Sequence, residues 1–366
     1  MKKRSLLFAL LTGILAMQGT DLLTVEAKAQ SNPAAGDASK PLRKLKFLLN
    51  SGYTGANAWF LLADDRGYFR EEGIEIEYVD GRGAFTAAPR MAAEGYDVGY
   101  GDMQALIEAS AADPKTAPIG VYMLMDRSPS VVAVPANSKV KTPKDLEKLT
   151  ITGHTTDVAL NTFEQYAKRA GIDGSSVKIV KNDGDWKTLL GVIAEGKADA
   201  LFGYYSTISV GVRASGKQVS SEIRFLKYPD TAPELLGNAV MISPAIAKEP
   251  ELARRFVNAI NRGVMAAVCQ PDEAIASVLK RNPKSDPANE RGRLVDTVME
   301  DMGGKATLAS GVGDIDKARL ETVVKLTAEL RKLPRQPTAD EVFTAKFLPD
   351  LGQRKVAINT APCKTL

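Results

Sequence analysis

Residues 57–83 read NAWFLLADDRGYFREEGIEIEYVDGRG, and no other stretch narrows the choice of folds as much. Residues 58–63 are apolar on every side, the pattern of a helix buried all round. Gly67 is placed to end that helix, because a residue without Cβ enters the left-handed backbone region at little cost. Ile74, Ile76 and Tyr78 then recur at every second position with Glu75 and Glu77 between them, and Gly73 and Gly81 bracket the run. That is the period of a strand with one buried face. A helix leading straight into a strand is an α/β unit.

The unit recurs along the chain. Strands are expected at 45–50, 74–78, 97–100, 119–125 and 131–135, with helices from 57, at 85–94 and at 103–110. Thr142-Pro143-Lys144-Asp145-Leu146 carries a threonine cap, a proline at the first helical position and an early acid, a sound helix start. A second series follows: strands at 149–152, 177–180, 198–202 and 223–228, a helix opened by residues 153–157 and closed by Gly171, and another at 186–195. Residues 237–243 read as a returning strand, and 250–268, 271–280, 291–302 and 315–333 as helices. The pattern predicts an α/β protein of two lobes, each a mainly parallel sheet flanked by helices, joined by two hinge crossovers. Residues 42–128 and 240–333 form lobe 1 and residues 129–239 form lobe 2. The proline-interrupted residues 334–366 are a tail packed on lobe 1. With 44% hydrophobic and 25% charged residues, the chain has the apolar content of an ordinary folded protein.

Lys2, Lys3 and Arg4 precede an apolar run over 6–17, and Ala27-Lys28-Ala29 supplies the small-x-small pattern of a cleavage site before Gln30. Residues 1–29 are therefore expected to be a signal peptide and 30–41 a flexible leader, placing the mature protein in the periplasm. The run is broken by Thr12 and Gly13 and is short of the ~20 apolar residues of a bilayer span, so cleavage is favoured over an anchor. Loss of residues 1–29 lowers the net charge from +4 to +2. Basic residues are scattered and not interleaved with aromatics, which excludes a nucleic-acid footprint. Cys269 and Cys363 lie outside any metal spacing; in an oxidising compartment they can pair, or they are two unrelated thiols.

Candidate binding residues come from the ends of the strands. In open α/β sheets that edge collects backbone N–H groups, helix N-termini and loop side chains, where small polar ligands are held. Five loops there pair a glycine with a hydrogen-bonding or aromatic side chain, at residues 52–55, 81–83, 101–102, 153–156 and 203–205. They nominate Tyr53, Thr54, Gly83, Asp102, His154, Thr155, Thr156, Tyr204 and Tyr205; Asn57 and Trp59 on the helix after the first loop and Asn238 on the returning strand join them. Thr155 and Thr156 offer hydroxyls beside a new helix start, which favours an anionic or electron-rich group; Thr156 also suits the N-cap. His154 is either a cleft hydrogen-bonder or a loop residue. Trp186 supplies an aromatic wall to the cleft or packs in a core. Arg127 suits a carboxylate, whereas Asp102 and Asp126 suit N–H donors, which leaves the ligand's charge open.

Catalytic machinery is not expected. No Gly-x-Ser-x-Gly or His-Glu-x-x-His occurs, the chain has one histidine, and Thr86 stands where a dinucleotide fingerprint needs its third glycine. No cofactor and no metal is expected.

The Trp-Phe-Leu-Leu-Ala helix, Arg66-Gly67-Tyr68-Phe69 and Glu72-Gly73-Ile74-Glu75-Ile76 resemble the opening of the solute-binding proteins of the nitrate, alkanesulfonate and thiamine-pyrimidine precursor class, which serve ABC importers. Ala93-Glu94-Gly95-Tyr96-Asp97-Val98-Gly99 and Glu195-Gly196-Lys197-Ala198-Asp199-Ala200 resemble a matching step in each of its two lobes. The resemblance spans roughly residues 44–267. It implies a type II periplasmic binding fold, a monomer that holds a small organic solute between its lobes, and a permease partner in the inner membrane. Two alternatives stay beside it: a ligand-sensing module of a periplasmic receptor, and an enzyme like the thiamine-pyrimidine relatives. The latter depend on a cysteine-rich motif that cysteines at 269 and 363 do not make.

Overall fold

Ten strands form two five-stranded sheets in the computed structural model, which describes residues 41–356 and Cys363. The expected signal peptide, nearly all of the leader and most of the end of the tail lie outside the described residues. The strands are β1 (Arg43–Leu48), β2 (Ile74–Val79), β3 (Val98–Asp102), β4 (Ile119–Met123), β5 (Ser130–Pro135), β6 (Thr150–Gly153), β7 (Lys178–Lys181), β8 (Ala200–Tyr204), β9 (Ile223–Lys227) and β10 (Asn238–Ile242). One sheet has the order β2-β1-β3-β10-β4 and the other β7-β6-β8-β5-β9; we call them sheets A and B.

Each sheet has a single reversed strand. In sheet A, β1 runs parallel to β2 and β3, while β10 is antiparallel to β3 and β4. In sheet B, β6 runs parallel to β7 and β8, while β5 is antiparallel to β8 and β9. The reversed strand is in both cases the one that arrives from the other sheet. Residues 124–129 carry the chain from the end of β4 into β5, and residues 228–237 from the end of β9 into β10. A chain that leaves one sheet at its carboxyl edge and enters the next at that same kind of edge has to run against its new neighbours. The sheets are thus mixed, with four strands of five sharing a direction.

Both crossovers are held by one side chain. Arg319, on the helix Lys317–Leu330, donates from Nη2 to the carbonyls of Asp126 and Leu235 and from Nε to that of Glu234 at 3.2 Å. Arg127 pairs with Asp230 across the crossovers at 3.7 Å.

The helix Ala58–Asp65 buries its first six residues, and Gly67 follows with φ 73°. Trp59, Phe60, Phe47, Tyr100 and Phe256 close one face of sheet A, and Leu48, Met91, Leu106, Met241 and Phe343 the other. Sheet B is covered by Ile151, Phe163, Phe202 and Tyr228 on one side and by Leu189, Leu201 and Ile208 on the other. Each such side chain contributes ~1.5–3 kcal/mol on burial.

Three helical expectations are revised. The single helix expected up to Gly171 is two, Val158–Asn161 and Phe163–Ala170, because the Thr162 hydroxyl bonds the Val158 carbonyl at the break. Residues 291–302 are not one helix: Pro287–Asp296 is α-helical and passes into a π-helical turn, Thr297–Asp301. The helix Tyr205–Ala214 was not anticipated. Cys269, at the end of the helix Pro250–Cys269, is disulfide-bonded to Cys363.

Candidate functional site

A cavity of about 730 Å³ lies between the carboxyl edges of the two sheets. From sheet A come Asn50, Ser51, Gly52 and Thr54 after β1, Arg82 and Gly83 after β2, and Met125 after β4. From sheet B come His154, Thr156 and Asp157 after β6, Asp183, Asp185 and Trp186 after β7, and Tyr204, Ser206 and Thr207 at the end of β8. Arg293 enters from the helix Pro287–Asp296. A second hollow, of about 620 Å³, is lined by Arg66, Tyr68, Arg262 and Cys269 and touches no residue of sheet B. Only the first gathers loops from both sheets.

The two walls meet. A Cβ on Gly83 would stand 2.7 Å from Thr156 Oγ1, so a side chain there would push the walls apart. The Tyr204 hydroxyl donates to Asn238 Oδ1 at 3.1 Å, from sheet B to sheet A. A strap completes the closure: the helix Pro287–Asp296 rests on Gly55, whose N–H donates to Glu290 Oε2 at 2.7 Å, and reaches sheet B's side through an Arg213–Asp296 pair and a 3.2 Å bond from Arg293 Nη1 to Thr207. Lys227 and Glu300 add a pair at 2.6 Å.

The walls differ in charge. Sheet A's side presents Arg82, exposed, and sheet B's side presents Asp157, Asp183 and Asp185. Asp157 caps the helix Val158–Asn161, and desolvation pushes its carboxyl up to about 6. Asp185 caps the Trp186–Ala194 helix, and Asp183 accepts the Thr155 N–H at 2.8 Å. These bonds hold both carboxyls below the usual range. Asp102, paired with Asn238 across β3 and β10, is fully buried as the cap of the helix Met103–Ala112, and burial pushes it up to about 7. Among the described residues, Asp102 Oδ2 and Asn238 Nδ2 have no hydrogen-bond partner. Leaving buried polar atoms unpaired is costly.

Thr54, Gly83, His154, Thr156, Trp186 and Tyr204, nominated from the sequence, line the cavity. The other nominated residues do not, each for a local reason. Asn57 is buried and donates to Ser51 Oγ and the Gly52 carbonyl, so it shapes the loop that lines the cavity. Trp59 is fully buried on the helical layer over sheet A. Tyr53 packs edge-on against Tyr78 at 6.4 Å. Asp102 and Asn238 are fully buried, opposite each other across β3 and β10. Asp126 and Arg127 sit in the first crossover, where Asp126 faces Thr307 and Arg127 faces Asp230. Thr155 is exposed; of that pair only Thr156 faces inward, with its Oγ1 3.0 Å from His154 Nδ1, and the N-cap is Asp157. Tyr205 turns to Phe225 and takes Lys227 over its ring at 4.7 Å. Arg293, Ser206, Thr207 and Asp183 escaped the sequence reading. Gly203-Tyr204-Tyr205 reads as a loop until the Ile208 and Val212 spacing behind it is recognised as a helix, and nothing local marks Arg293.

Residues 56–274 match the family model described as NMT1/THI5 like. No curated protein matches the chain. Among solved structures, the alkanesulfonate-binding protein SsuA from Xanthomonas axonopodis pv. citri, bound to MOPS, is 14% identical with TM-score 0.63, covering 84% of this chain and 99% of that one. The periplasmic aliphatic sulphonate binding protein SsuA from Escherichia coli is 14% identical with TM-score 0.63, covering 82% and 96%. A Candida albicans gene product with the generic periplasmic binding protein fold is 16% identical with TM-score 0.55, covering 87% and 99%. At such identities the likeness shows the fold: two mixed sheets flanked by helices, the two-lobed architecture of periplasmic binding proteins.

Proposed function

The chain belongs to the NMT1/THI5-like family, and on that premise we propose that it is an exported solute-binding protein, which captures a small organic molecule between its two lobes and hands it to an ABC permease. The observation that carries this reading is the cavity of about 730 Å³, a size suited to a small ligand, whose walls come from both sheets. Trp186 and Leu189 offer apolar area, and Thr54, Thr156, Ser206 and Thr207 offer hydroxyls, so an aromatic, heterocyclic, sulfonate or carboxylate solute suits the site. The sulfonate-binding neighbours and the expected signal peptide support the same reading, with the periplasm as the compartment.

The mechanism is closure about the crossovers. Arg319 keeps the two hinge segments together while the sheets rotate about them, and a ligand that touches both walls favours the closed form. Moving the population from mostly open to mostly closed requires ~5.5 kcal/mol of differential affinity. The permease then recognises the closed geometry. A thermal-shift screen of alkane- and arylsulfonates, MOPS, aromatic carboxylates and aminopyrimidines tests the reading: a ligand at 100 times its Kd raises stability by ~2.7 kcal/mol. The expected result is a hit that also reduces the radius of gyration in small-angle scattering. Tight binding with unchanged dimensions, or turnover of the bound compound, contradicts it.

A further inference from the structure

Among the described residues that line the cavity, Arg293 is the one carried by a helix of the returning chain rather than by a loop or helix that follows a strand. It sits on the Pro287–Asp296 strap, its side chain 15% exposed. Its Nε points at Glu290 Oε2 from 3.3 Å, and that same oxygen already accepts the Gly55 N–H at the shorter distance of 2.7 Å. Its Nη1 donates to Thr207 Oγ1 at 3.2 Å. Nη2 has no protein partner among the described residues. A guanidinium carries five N–H donors in a planar fork, so two bonds leave this one largely unspent at the wall of a cavity. The surroundings suit an acceptor. Thr207 lies in the first turn of the helix Tyr205–Ala214, which has neither a capping side chain nor an acidic residue there, so its N-terminal N–H groups reinforce the positive potential. The aspartates at 157, 183 and 185 belong to the loops after β6 and β7 and disfavour a second negative charge at that end.

Resting on the solute-binding reading, we propose that Arg293 determines specificity: it takes a single anionic group, a carboxylate or sulfonate, at one end of the ligand, whose apolar remainder lies toward Trp186. The same contact recruits the strap. Because Arg293 reaches sheet B's side through Thr207 and sheet A's side through Glu290 and Gly55, an anion bound to its free edge fixes the side chain that bridges the lobes. Anion recognition and closure are then one event. A charge-assisted hydrogen bond of this kind is worth ~1.5–3 kcal/mol, about 10- to 100-fold in affinity.

The test compares benzoate with benzamide, which match in shape and differ in charge, and adds benzenesulfonate, using calorimetry and small-angle scattering on the full mature chain. The wild type is expected to prefer benzoate over benzamide by about 10-fold or more and to contract with it. Arg293→Gln should lower benzoate affinity by about 10-fold or more relative to benzamide and so erase that preference; Arg293→Lys should retain part of it. Thr207→Val should keep the anion preference and weaken the contraction. A purely structural Arg293 would instead lower both probes together. Preference retained in Arg293→Gln, or a best ligand without negative charge, overturns the assignment of Arg293 and leaves solute binding standing. A wild type that neither binds nor contracts with any screened solute overturns both.

Discussion

The two halves share a plan and divide the work. Sheet A has helices on both faces, and its edge strand β4 is further closed by the bridge from Gly120 to Phe343; Trp59, Phe47, Phe60 and Tyr100 are fully buried against it. Sheet B ends in β7, where Ile179 and Val180 are 39% and 38% exposed. The cavity walls differ in the opposite sense. Sheet A offers mostly small residues, among them Gly52, Gly81 and Gly83, while sheet B offers three aspartates, His154, Trp186 and Tyr204. The half with the larger buried core is the platform, and the other half supplies most of the charged and aromatic groups of the cavity wall. Burial accompanies the split: the helix Pro250–Cys269 and the described residues Phe343, Phe347 and Val356 pack on sheet A, whereas the helices Pro287–Asp296 and Lys317–Leu330 also touch sheet B's side.

The disulfide gives the strongest way to break this asymmetry, because it lies wholly on the platform. Cys269 and Cys363 are separated by 94 positions, and the chain-entropy model assigns a loop of that length ~4–5 kcal/mol. The double change Cys269→Ser, Cys363→Ser should cost about that much in urea unfolding, and a loss under ~1 kcal/mol would show that the crosslink does not restrain the unfolded chain. Next in size is a paired comparison. Trp59→Ala on the platform should cost ~3–5 kcal/mol, whereas Ile179→Ala on β7 should stay within ~0.5 kcal/mol. Equal costs would erase the distinction between the halves.

The smallest effect sharpens the boundary between them. Asp102, whose carboxyl is pushed up from 3.8 to about 7, holds a proton in the folded state that the unfolded chain releases. Between those two pH values the folded form binds more protons than the unfolded one, so this group's contribution to stability falls as pH rises from about 4 to about 7 and then levels off. Asparagine keeps the shape and the helix cap but does not titrate. Asp102→Asn should therefore gain on the wild type progressively across that window, read from urea midpoints at pH 4.5, 6 and 8. A constant difference at all three would mean that Asp102 is ionised in the fold.

Local features of the fold were legible from residues alone. Gly67 and Gly171 take φ 73° and 65° where the sequence asks for helix stops, the Thr142 capping box forms with Asp145, and Ile74, Ile76 and Tyr78 lie on β2 as their spacing predicts. Each rests on interactions within a few residues. The site was legible only in part, and particular residues show why. Thr54, Thr156 and Trp186 could be nominated because the loops after strands are general binding edges. Trp59 and Thr155 look equally eligible in sequence, yet one is sealed by helices from the distant chain and the other is turned outward by the Asp183 bond. Asp126 and Arg127 follow a strand like the others, but that strand leads into a crossover.

What the amino-acid sequence determined by itself is the alternation of helices and strands and the placing of their ends, since backbone propensity, caps and glycine freedom act locally. Which strand would be reversed, which loops would converge and which side chain would bridge them were decided only by tertiary structure. Arg293 stands 86 positions from Thr207, and no local pattern records a partnership that exists because two crossovers bring separate sheets edge to edge.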